Sequence, residues 1–594
     1  MAESAKILHV DLASGQSAIH EIAGRELWIG GSGLAARLFE QFGDPRQSAF
    51  VDSQPLIFAI GPLTGYFPLQ SKVVAGFVSP YTDQYAESHA GGRLALALRF
   101  SGFEALVVTG QAQRLSCLVV GSRQIQIKDV HYLAGHDVFS TGKLLRQIHS
   151  QHSGHRSILR IGPAGEQQVA YAAVNVDTYR HFGRLGAGAV MGAKQLKGII
   201  VAGDGSLKVP NEHRKAYANL YKELHHEITG QDVMRKYHNL GTPENLEPLN
   251  ALQALPWRNL QATSDAAVDS ISGETFARDL LLRQTACAGC PVGCIHVGLL
   301  RERFGTEHEF FYRQVSYDYE PIFALGSMLG MQRAPDVLTL LEDAERYGLD
   351  VISSGVALAW ATEALEKGVL SQEHTLVPLA FDTLEGYRSA LGHIAARSNT
   401  FYHALGLGAG RAAAEYGGTD FACVLGQEMA GYATGENYFV SQAYGFRHSH
   451  LDSGGYAYDQ KESTRDEATA VQALVDEERN RVLATCMVGC LFARKVYTPQ
   501  QLQRCLEVTG HGGLGEGLED RAAKVQAKRW ELKCASGFAP KDVRIPQRFR
   551  EIVTWKGEMD TAYMDRLGQA YAQKIQEMAS AAPDWSPQSK PSSR

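Results

Sequence analysis

Apolar side chains recur with two different spacings, and the change between them falls about a third of the way along. Up to roughly residue 210 the apolar runs are short, β-branched and closed by Gly or polar turns. They read KILHVDL (6–12), PLIFAIG (55–61), ALVVTG (105–110), SCLVVGSRQIQIKDV (116–130), SILRIG (157–162) and GIIVAG (198–203), the writing of strands. Val209-Pro210 closes this stretch. From about 211 the spacing becomes helical. APDVLTLLEDAERYGLD (334–350) has Pro335 near its start, apolar residues at 337, 338, 340, 341 and 344, and Gly348 just past its end, which predicts a helix with a defined start and stop. Segments 354–367, 385–397 and 470–493 behave in the same way. YGGTD, near 417–420, offers a glycine-rich boundary, and SAAPDWSPQSKPSSR at the end has the Pro/Ser-rich composition of a disordered tail. The expected organisation is a strand-built domain over 1–210, helical domains over 211–417 and 418–580, and a tail over 581–594. No strong internal repeat appears, so a solenoid is not expected.

Composition fits that picture and narrows the function. At 594 residues two to four domains are expected, and 44% apolar with 21% charged residues is the profile of a compact soluble globule. A net charge of −6 without a basic cluster argues against nucleic acid as the main partner. No apolar run reaches the roughly 18 residues of a membrane span. The opening MAESAKILHVDLASG has no apolar leader core, so a cytoplasmic setting is expected.

The nine cysteines, 117, 287, 290, 294, 423, 486, 490, 505 and 534, do not form a disulfide framework. In a reducing compartment, grouped thiols point to metal or redox chemistry. IGGSGLAARLFE (29–40) superficially matches a dinucleotide-binding turn, but the next strand candidate ends in Gly-Pro rather than an acid, so a glycine turn into a packed helix is the better reading. CAGCPVGC (287–294) places thiols at i, i+3 and i+7, with Pro291 and Gly293 favouring a loop. Soft sulfur ligands select zinc, Cu(I) or an iron–sulfur cluster. No second C-x-x-C follows to complete a zinc site, although His296 is near. A [4Fe–4S] cluster takes four cysteines, and its fourth can come from far along the chain. TCMVGCLF offers Cys486 and Cys490. An iron–sulfur cluster is the preferred reading over zinc.

At this point the chain resembles the tungsten-dependent aldehyde:ferredoxin oxidoreductase family, from about residue 5 to 540. The resemblance is carried by GPLTG (61–65), HAGG (89–92), YRHFGRLGAGAVMGAKQLKGI (179–199), CAGCPVGC, RYGLDVISSG (346–355) and CLFARKVY (490–497). It implies an α+β protein whose N-terminal domain of two β-sheets seats a bis-pterin cofactor of tungsten or molybdenum, covered by two mostly α-helical domains. It implies Cys287, Cys290, Cys294 and Cys490 as the ligands of a [4Fe–4S] cluster.

The pterin positions follow the same resemblance. The family's first-sheet arginine falls at Lys72, and the carbonyls that hold Mg2+ between pterin phosphates fall at His89 and His181. Gly91, Arg180, Gly183 and Arg184 match directly. The acidic pterin loop becomes Glu345-x-x-Gly-Leu349-Asp350. The late loop places Gly489 and Leu491 around Cys490, with Thr485 where Asp is usual. The family's late arginine falls on Phe446 unless Arg447 takes its place. Thr339 stands where some members have a glutamate for an intersubunit metal, so that metal is not expected.

For catalysis the resemblance implies Glu320, with Tyr319 beside it, and His450, although GFRHSHLDSGG also offers His448 and has Asp452 in place of the usual lysine. The implied reaction converts aldehyde and water to carboxylate and releases two electrons and protons. The electrons would leave through the cluster to ferredoxin or an iron–sulfur electron-transfer subunit, under anaerobic conditions. His450 would hydrogen-bond the reacting oxygen, and burial would raise the Glu320 pKa toward the working pH. A homodimer or hetero-oligomer is compatible. The alternatives are a relative running reductively on an aromatic thioester or carboxylic acid, and a non-catalytic iron–sulfur or zinc scaffold.

Overall fold

The computed structural model describes residues 4–148, 154–304, 309–462 and 464–585. Its first third is two six-stranded sheets. One is ordered β2-β1-β6-β3-β4-β5, with β1 (Ser4–Asp11), β2 (Gln16–Ala23), β3 (Leu56–Ala59), β4 (Val73–Val78), β5 (Tyr85–Ala90) and β6 (Ala105–Thr109). The other is ordered β11-β10-β9-β12-β7-β8, with β7 (Ser116–Gly121), β8 (Ile125–Asp129), β9 (His155–Arg160), β10 (Val174–Val176), β11 (Arg180–Phe182) and β12 (Leu196–Gly203). Each sheet is antiparallel apart from one parallel pair, β1 with β6 and β12 with β7. The central strand β12, LKGIIVAG, is buried at every position, as expected of a strand covered on both faces. Phe58 of β3 meets Phe182 of β11 with ring centroids 5.4 Å apart, joining the two sheets through one apolar core. All six apolar runs quoted from the first third lie in these strands.

The helices expected beyond residue 211 are present. Ala334–Tyr347 has Pro335 in its first turn and ends on Gly348, whose φ of 75° is the left-handed stop that glycine accommodates. Val351–Glu366 follows at once, because Asp350 caps it by accepting from the Ile352 and Ser353 amides, each at 3.2 Å. Leu384–Ala396 matches the segment expected at 385–397. Helices Glu467–Cys486, Leu518–Ala535 and Thr561–Ser580 pack on one another. No helix among the described residues is long and apolar enough to cross a membrane.

Three features differ from the sequence expectation. A three-stranded antiparallel sheet, β13 (Leu281–Thr285), β14 (Ile295–Arg303) and β15 (Phe310–Tyr317), interrupts the helical region and carries the cysteine loop between β13 and β14. The helix expected at 470–493 stops at Cys486. Val488 then turns left-handed, with φ 56°, and Gly489 bridges Gln70. Of the expected tail, 586–594 lies outside the described residues, while Trp585 before it is buried with Lys528 5.6 Å from its ring. The GSG turn does enter a packed helix, Gly31–Phe42. A Cβ on Gly31 would lie 1.9 Å from the Thr485 carbonyl oxygen, and one on Gly33 1.9 Å from that of Trp28.

Candidate functional site

A cavity of about 410 Å3 opens where the strand ends meet the helical region. Both halves of the chain contribute to its wall. Lys72, His89, Arg180, His181, Gly183, Arg184, Cys294, Glu320, Arg447, His450, Gly489, Cys490 and Leu491 line it. Gly91, Cys287, Cys290, Tyr319, Glu345, Leu349 and Asp350 are not among the lining residues.

The cysteine loop is shaped by its backbone. Gly289 and Gly293 both have φ 68°, so the run bends twice instead of forming a helix. The Ala288 amide donates to the Gly92 carbonyl (3.0 Å), and the Leu69 amide to that of Gly289 (3.3 Å). The late cysteine is brought to the same place by two further bonds. The Cys490 amide donates to the Leu69 carbonyl and the Lys72 amide to that of Val488, both at 2.9 Å. Lys72 and Arg180 sit among the thiols. A Cβ on Gly91 would come within 2.6 Å of Cys287 Sγ and 2.9 Å of Lys72 Nζ, so only glycine lets those two groups meet there. Burial pushes the Cys287 thiol up, but Lys72 and Arg180 outweigh it and hold the thiol below its usual range. Burial takes Cys290 up to about 11 and Cys294 up to about 12. Burial drives Lys72 down, yet the charges of Cys490 and Cys287 leave it raised. Among the described residues, no three His, Cys, Asp or Glu side chains close on a point that would hold a single ion.

The arginines and acids form a second group. Arg184 is held by Asp350 (Nε to Oδ2, 3.2 Å) and by the Glu428 carbonyl (2.9 Å). Arg180 lies 3.7 Å from Asp318. His181 Nε2 and Glu345 Oε1 face each other at 3.3 Å without the alignment of a hydrogen bond. Arg447, and not Phe446, reaches the cavity. Its Nε pairs with Asp452 at 2.7 Å and its Nη1 lies 3.2 Å from His89 Nδ1. Phe446 is core, 3.8 Å beneath the Arg529 guanidinium. Asp452, in the place of the usual lysine, therefore fixes the arginine. Burial and the Arg447 charge take His89 down to about 4, so it is neutral and accepts from Arg447 while facing Glu87 at 3.3 Å.

The two proposed catalytic groups meet. His450 Nε2 lies 3.1 Å from Glu320 Oε1, and the Tyr432 hydroxyl donates to the same oxygen at 2.9 Å. The expectation of a raised Glu320 pKa is overturned. Burial does push it up, but the hydrogen bond and charge of His450, with Tyr432, outweigh burial and leave it lowered. Tyr319 is fully buried and its hydroxyl donates to the Gly431 carbonyl, so that group is committed away from the cavity. His448 is also committed, with Nδ1 3.0 Å from the Ala443 carbonyl and Nε2 3.0 Å from Lys533 Nζ.

Sequence reading missed Glu87, Asp318, Gln427 and Tyr432. Glu87, Asp318 and Gln427 line the cavity, and Tyr432 is reached only through Glu320. A buried acid inside a strand, as Glu87 in YAESHA, was the available signal for the first.

The residues present suit a large polar group with phosphates. Arg180 Nε, Arg184 Nη1, Gln427 Oε1, His450 Nδ1 and Glu345 Oε2 are buried without a hydrogen-bond partner among the described residues. Gly183 has open space where a Cβ would stand. Donors, acceptors and close-approach glycines around one cavity fit a phosphorylated heterocycle.

Two family models match the chain: the aldehyde ferredoxin oxidoreductase N-terminal domain over residues 7–203, and domains 2 and 3 of the same family over 219–581. The tungsten-containing aldehyde ferredoxin oxidoreductase of Pyrococcus abyssi is 31% identical over 438 residues, covering 72% of this chain and 70% of its own. That of Thermococcus kodakarensis is 32% identical over 376 residues, 62% of this chain and 60% of its own. Among solved structures, the active-site complex BamBC of benzoyl-coenzyme A reductase with 1,5-dienoyl-CoA superposes with a TM-score of 0.76. At 19% identity over 96% of this chain and 95% of that one, it shows a shared fold.

Proposed function

The chain belongs to the aldehyde ferredoxin oxidoreductase family, and on that premise we propose that it oxidises an aldehyde to the carboxylic acid at a tungsten bis-pterin centre. Its two electrons would pass through a [4Fe–4S] cluster to ferredoxin or a similar iron–sulfur carrier. The observation that carries the reading is the Glu320–His450 contact in the wall of the same cavity as Lys72, Arg180, Cys294 and Cys490.

The overall change is R–CHO + H2O → R–COO− + 3 H+ + 2 e−. When bound, the bis-pterin tungsten supplies the two-electron couple and the cluster carries electrons out singly. Lys72, Arg180 and Arg184 would hold the pterin phosphates and ring edges, and the carbonyls of His89 and His181 would hold Mg2+. Glu345, Leu349, Asp350, Arg447, Gly489 and Leu491 would close the site around the rings, and the four cysteines would hold the cluster.

Proton handling belongs to the chain itself. Glu320 uses Oε1 for His450 and Tyr432, which leaves Oε2 to take a proton from water. His450 uses Nε2 for Glu320, so Nδ1 is the atom left for the substrate oxygen. In that role His450 carries a proton on Nδ1 and donates it to the substrate oxygen. Negative charge developing on the substrate oxygen strengthens the Nδ1 hydrogen bond and lowers the barrier.

An iron–sulfur cluster suits the cysteines better than zinc. A cluster can take its fourth cysteine from far along the chain, and Cys490 is brought beside the Cys287–Cys294 loop by the bonds that its amide and that of Lys72 make with Leu69 and Val488. Thr339 spends its hydroxyl on the Pro335 carbonyl at 2.8 Å, and no intersubunit metal is proposed there. Anaerobically purified protein should contain tungsten, pterin and iron, and should reduce a viologen dye with aldehydes. Zinc alone, or reduction only of acids and thioesters, would overturn the reading.

A further inference from the structure

We propose that the open face of the β13–β15 sheet is the docking surface of an acidic electron-carrier protein; the proposal rests on the oxidoreductase reading above and adds where the electrons leave and what charge their acceptor carries. The sheet holds the cysteine loop between its first two strands. Arg283 therefore stands four residues before Cys287, and β14 begins directly after Cys294. The loop reaches the surface, where Gly289 and Pro291 are exposed. A protein that docks on the loop also covers the strands beside it.

The ladders sort the side chains of these strands onto two faces. Leu299 pairs with Gln314, Arg301 with Tyr312 and Arg303 with Phe310, and Arg283 pairs with Val297, so these residues project to one side. Gly298, Leu300 and Glu302, opposite Val315, Arg313 and Phe311, project to the other. That other side is packed. A Cβ on Gly298 would lie 2.7 Å from Leu338, and Arg313 is held by Glu302 (3.1 Å) and Glu342 (2.9 Å). The first side is open. Tyr312 is 62% exposed there, and Arg283, Arg301, Arg303 and Gln314 are exposed with it.

Charge is segregated between the two faces. Every charged residue that the strands place on the open side is an arginine, and Glu302, the one acid in the three strands, lies on the packed side. Arg301 has rings for neighbours, with its guanidinium 4.4 Å from the centroid of Phe310 and 5.8 Å from that of Tyr312. Arg283 donates to the Tyr179 hydroxyl (3.1 Å) and to Gln314 Oε1 (2.9 Å). Arg93, paired with Asp177 at 3.3 Å yet 54% exposed, adjoins the loop, because the carbonyl of Gly92 before it takes the Ala288 amide. On a chain of net charge −6 this strip is opposite in sign to the whole. Local positive charge steers an acidic partner into register, and arginine with tyrosine is the composition of a protein interface. A nucleic acid would also be drawn to the charge, but it gains nothing from a site beside redox cysteines.

The test uses anaerobically purified holoenzyme, an acidic ferredoxin as the protein probe and benzyl viologen as the small acceptor. Calorimetry without aldehyde should show the ferredoxin binding wild type, more weakly as salt rises. The double variant Arg283→Glu/Arg301→Glu should bind it about tenfold or more weakly, since like charges then face each other, and KM for ferredoxin should rise in step. Aldehyde oxidation with viologen should stay at the wild-type rate, which also shows that the variant is folded and loaded. Tyr312→Ala, which leaves every charge in place, should weaken ferredoxin binding with the same unchanged viologen rate. Ferredoxin binding equal to wild type in both variants would overturn the assignment. So would loss of a homodimer in the double variant with ferredoxin binding intact, which gives the face to a second copy, or wild-type affinity for duplex DNA above that for ferredoxin. A wild type that reduces neither acceptor with aldehydes would instead sink the oxidoreductase reading, and this one with it.

Discussion

His450 Nε2 stands 3.1 Å from Glu320 Oε1, and the chain segments that bring them together share no secondary structure. Glu320 is in the first turn of helix Tyr319–Leu325 and His450 opens a short turn capped by Ser449. Two residues 130 positions apart come within 3.1 Å in a cavity that Cys294 and Cys490 also line. Packing alone has no reason to pair them there, which is why the pair bears most of the functional reading.

Glu320→Gln keeps the size and the hydrogen bond from Tyr432 but removes the base. Turnover should fall by about 10²- to 10⁴-fold, the usual worth of a positioned acid–base group. Tungsten, pterin and iron per chain should match wild type, since Glu320 is assigned to none of them. Wild-type turnover in a fully loaded variant would remove Glu320 from the mechanism.

Tyr432→Phe addresses how the carboxylate is tuned. Glu320 is held below its usual range against the pull of burial, and Tyr432 is one of the groups holding it. A base works ionised, so kcat/KM declines as pH falls through its pKa. With a lowered pKa that acid limb lies below about 4.3, the ordinary glutamate value. Loss of the tyrosine hydroxyl should move the limb to higher pH and leave the plateau nearly unchanged. The same sign applies to stability: the Glu320 contribution is complete above the unfolded value and is lost as pH falls through the folded one. An acid limb that stays in place would show that Tyr432 does not tune Glu320.

The strand-built third was legible because its central strands are apolar on both faces and end in glycine. What stayed hidden was polar for a functional or local reason. β5, YAESHA, is almost wholly buried yet is no apolar run, because Glu87 inside it is paired with Arg529 (2.8 Å) and Ser32 (2.8 Å), both distant in sequence. β14 and β15 were obscured by Arg301, Glu302, Arg303 and Arg313, which are affordable on a sheet with one exposed face. The long helix ended earlier than its apolar period because the backbone must double back at Val488 to bring Cys490 onto Leu69. The glycines and cysteines proposed to hold ligands showed in the motif, whereas Tyr432 becomes visible only through Glu320, the neighbour that the fold gives it.

Replacing the two histidines of RHSH should have opposite effects. His448 is buried, taken down to about 3 by burial and by Lys533, and accepts from that lysine as a neutral ring. His448→Ala leaves Lys533 short of a partner and should cost about 1–3 kcal/mol of stability, read as a lower denaturation midpoint. Activity per loaded chain should stay near wild type. His450→Ala should do the reverse, with an unchanged midpoint and turnover reduced by about 10²-fold or more. The opposite assignment of effects would move the catalytic role to His448.

Cys490→Ser against Cys486→Ser separates a ligand from a bystander four residues away. Cys486 is fully buried, and burial takes its thiol up to about 12, so it has little tendency to become a thiolate. Cys490 is part-exposed to the cavity, beside Lys72 and the loop of Cys287, Cys290 and Cys294. Its placement is fixed by backbone bonds, Cys490 to Leu69 and Lys72 to Val488, which a serine leaves intact. The Cys490→Ser chain should therefore fold and remain monodisperse while iron per chain and the broad visible absorption of the cluster fall sharply. Cys486→Ser should keep both. Zinc in place of iron in the wild type, or a visible spectrum indifferent to residue 490, would show that the late loop closes the cavity without holding a cluster.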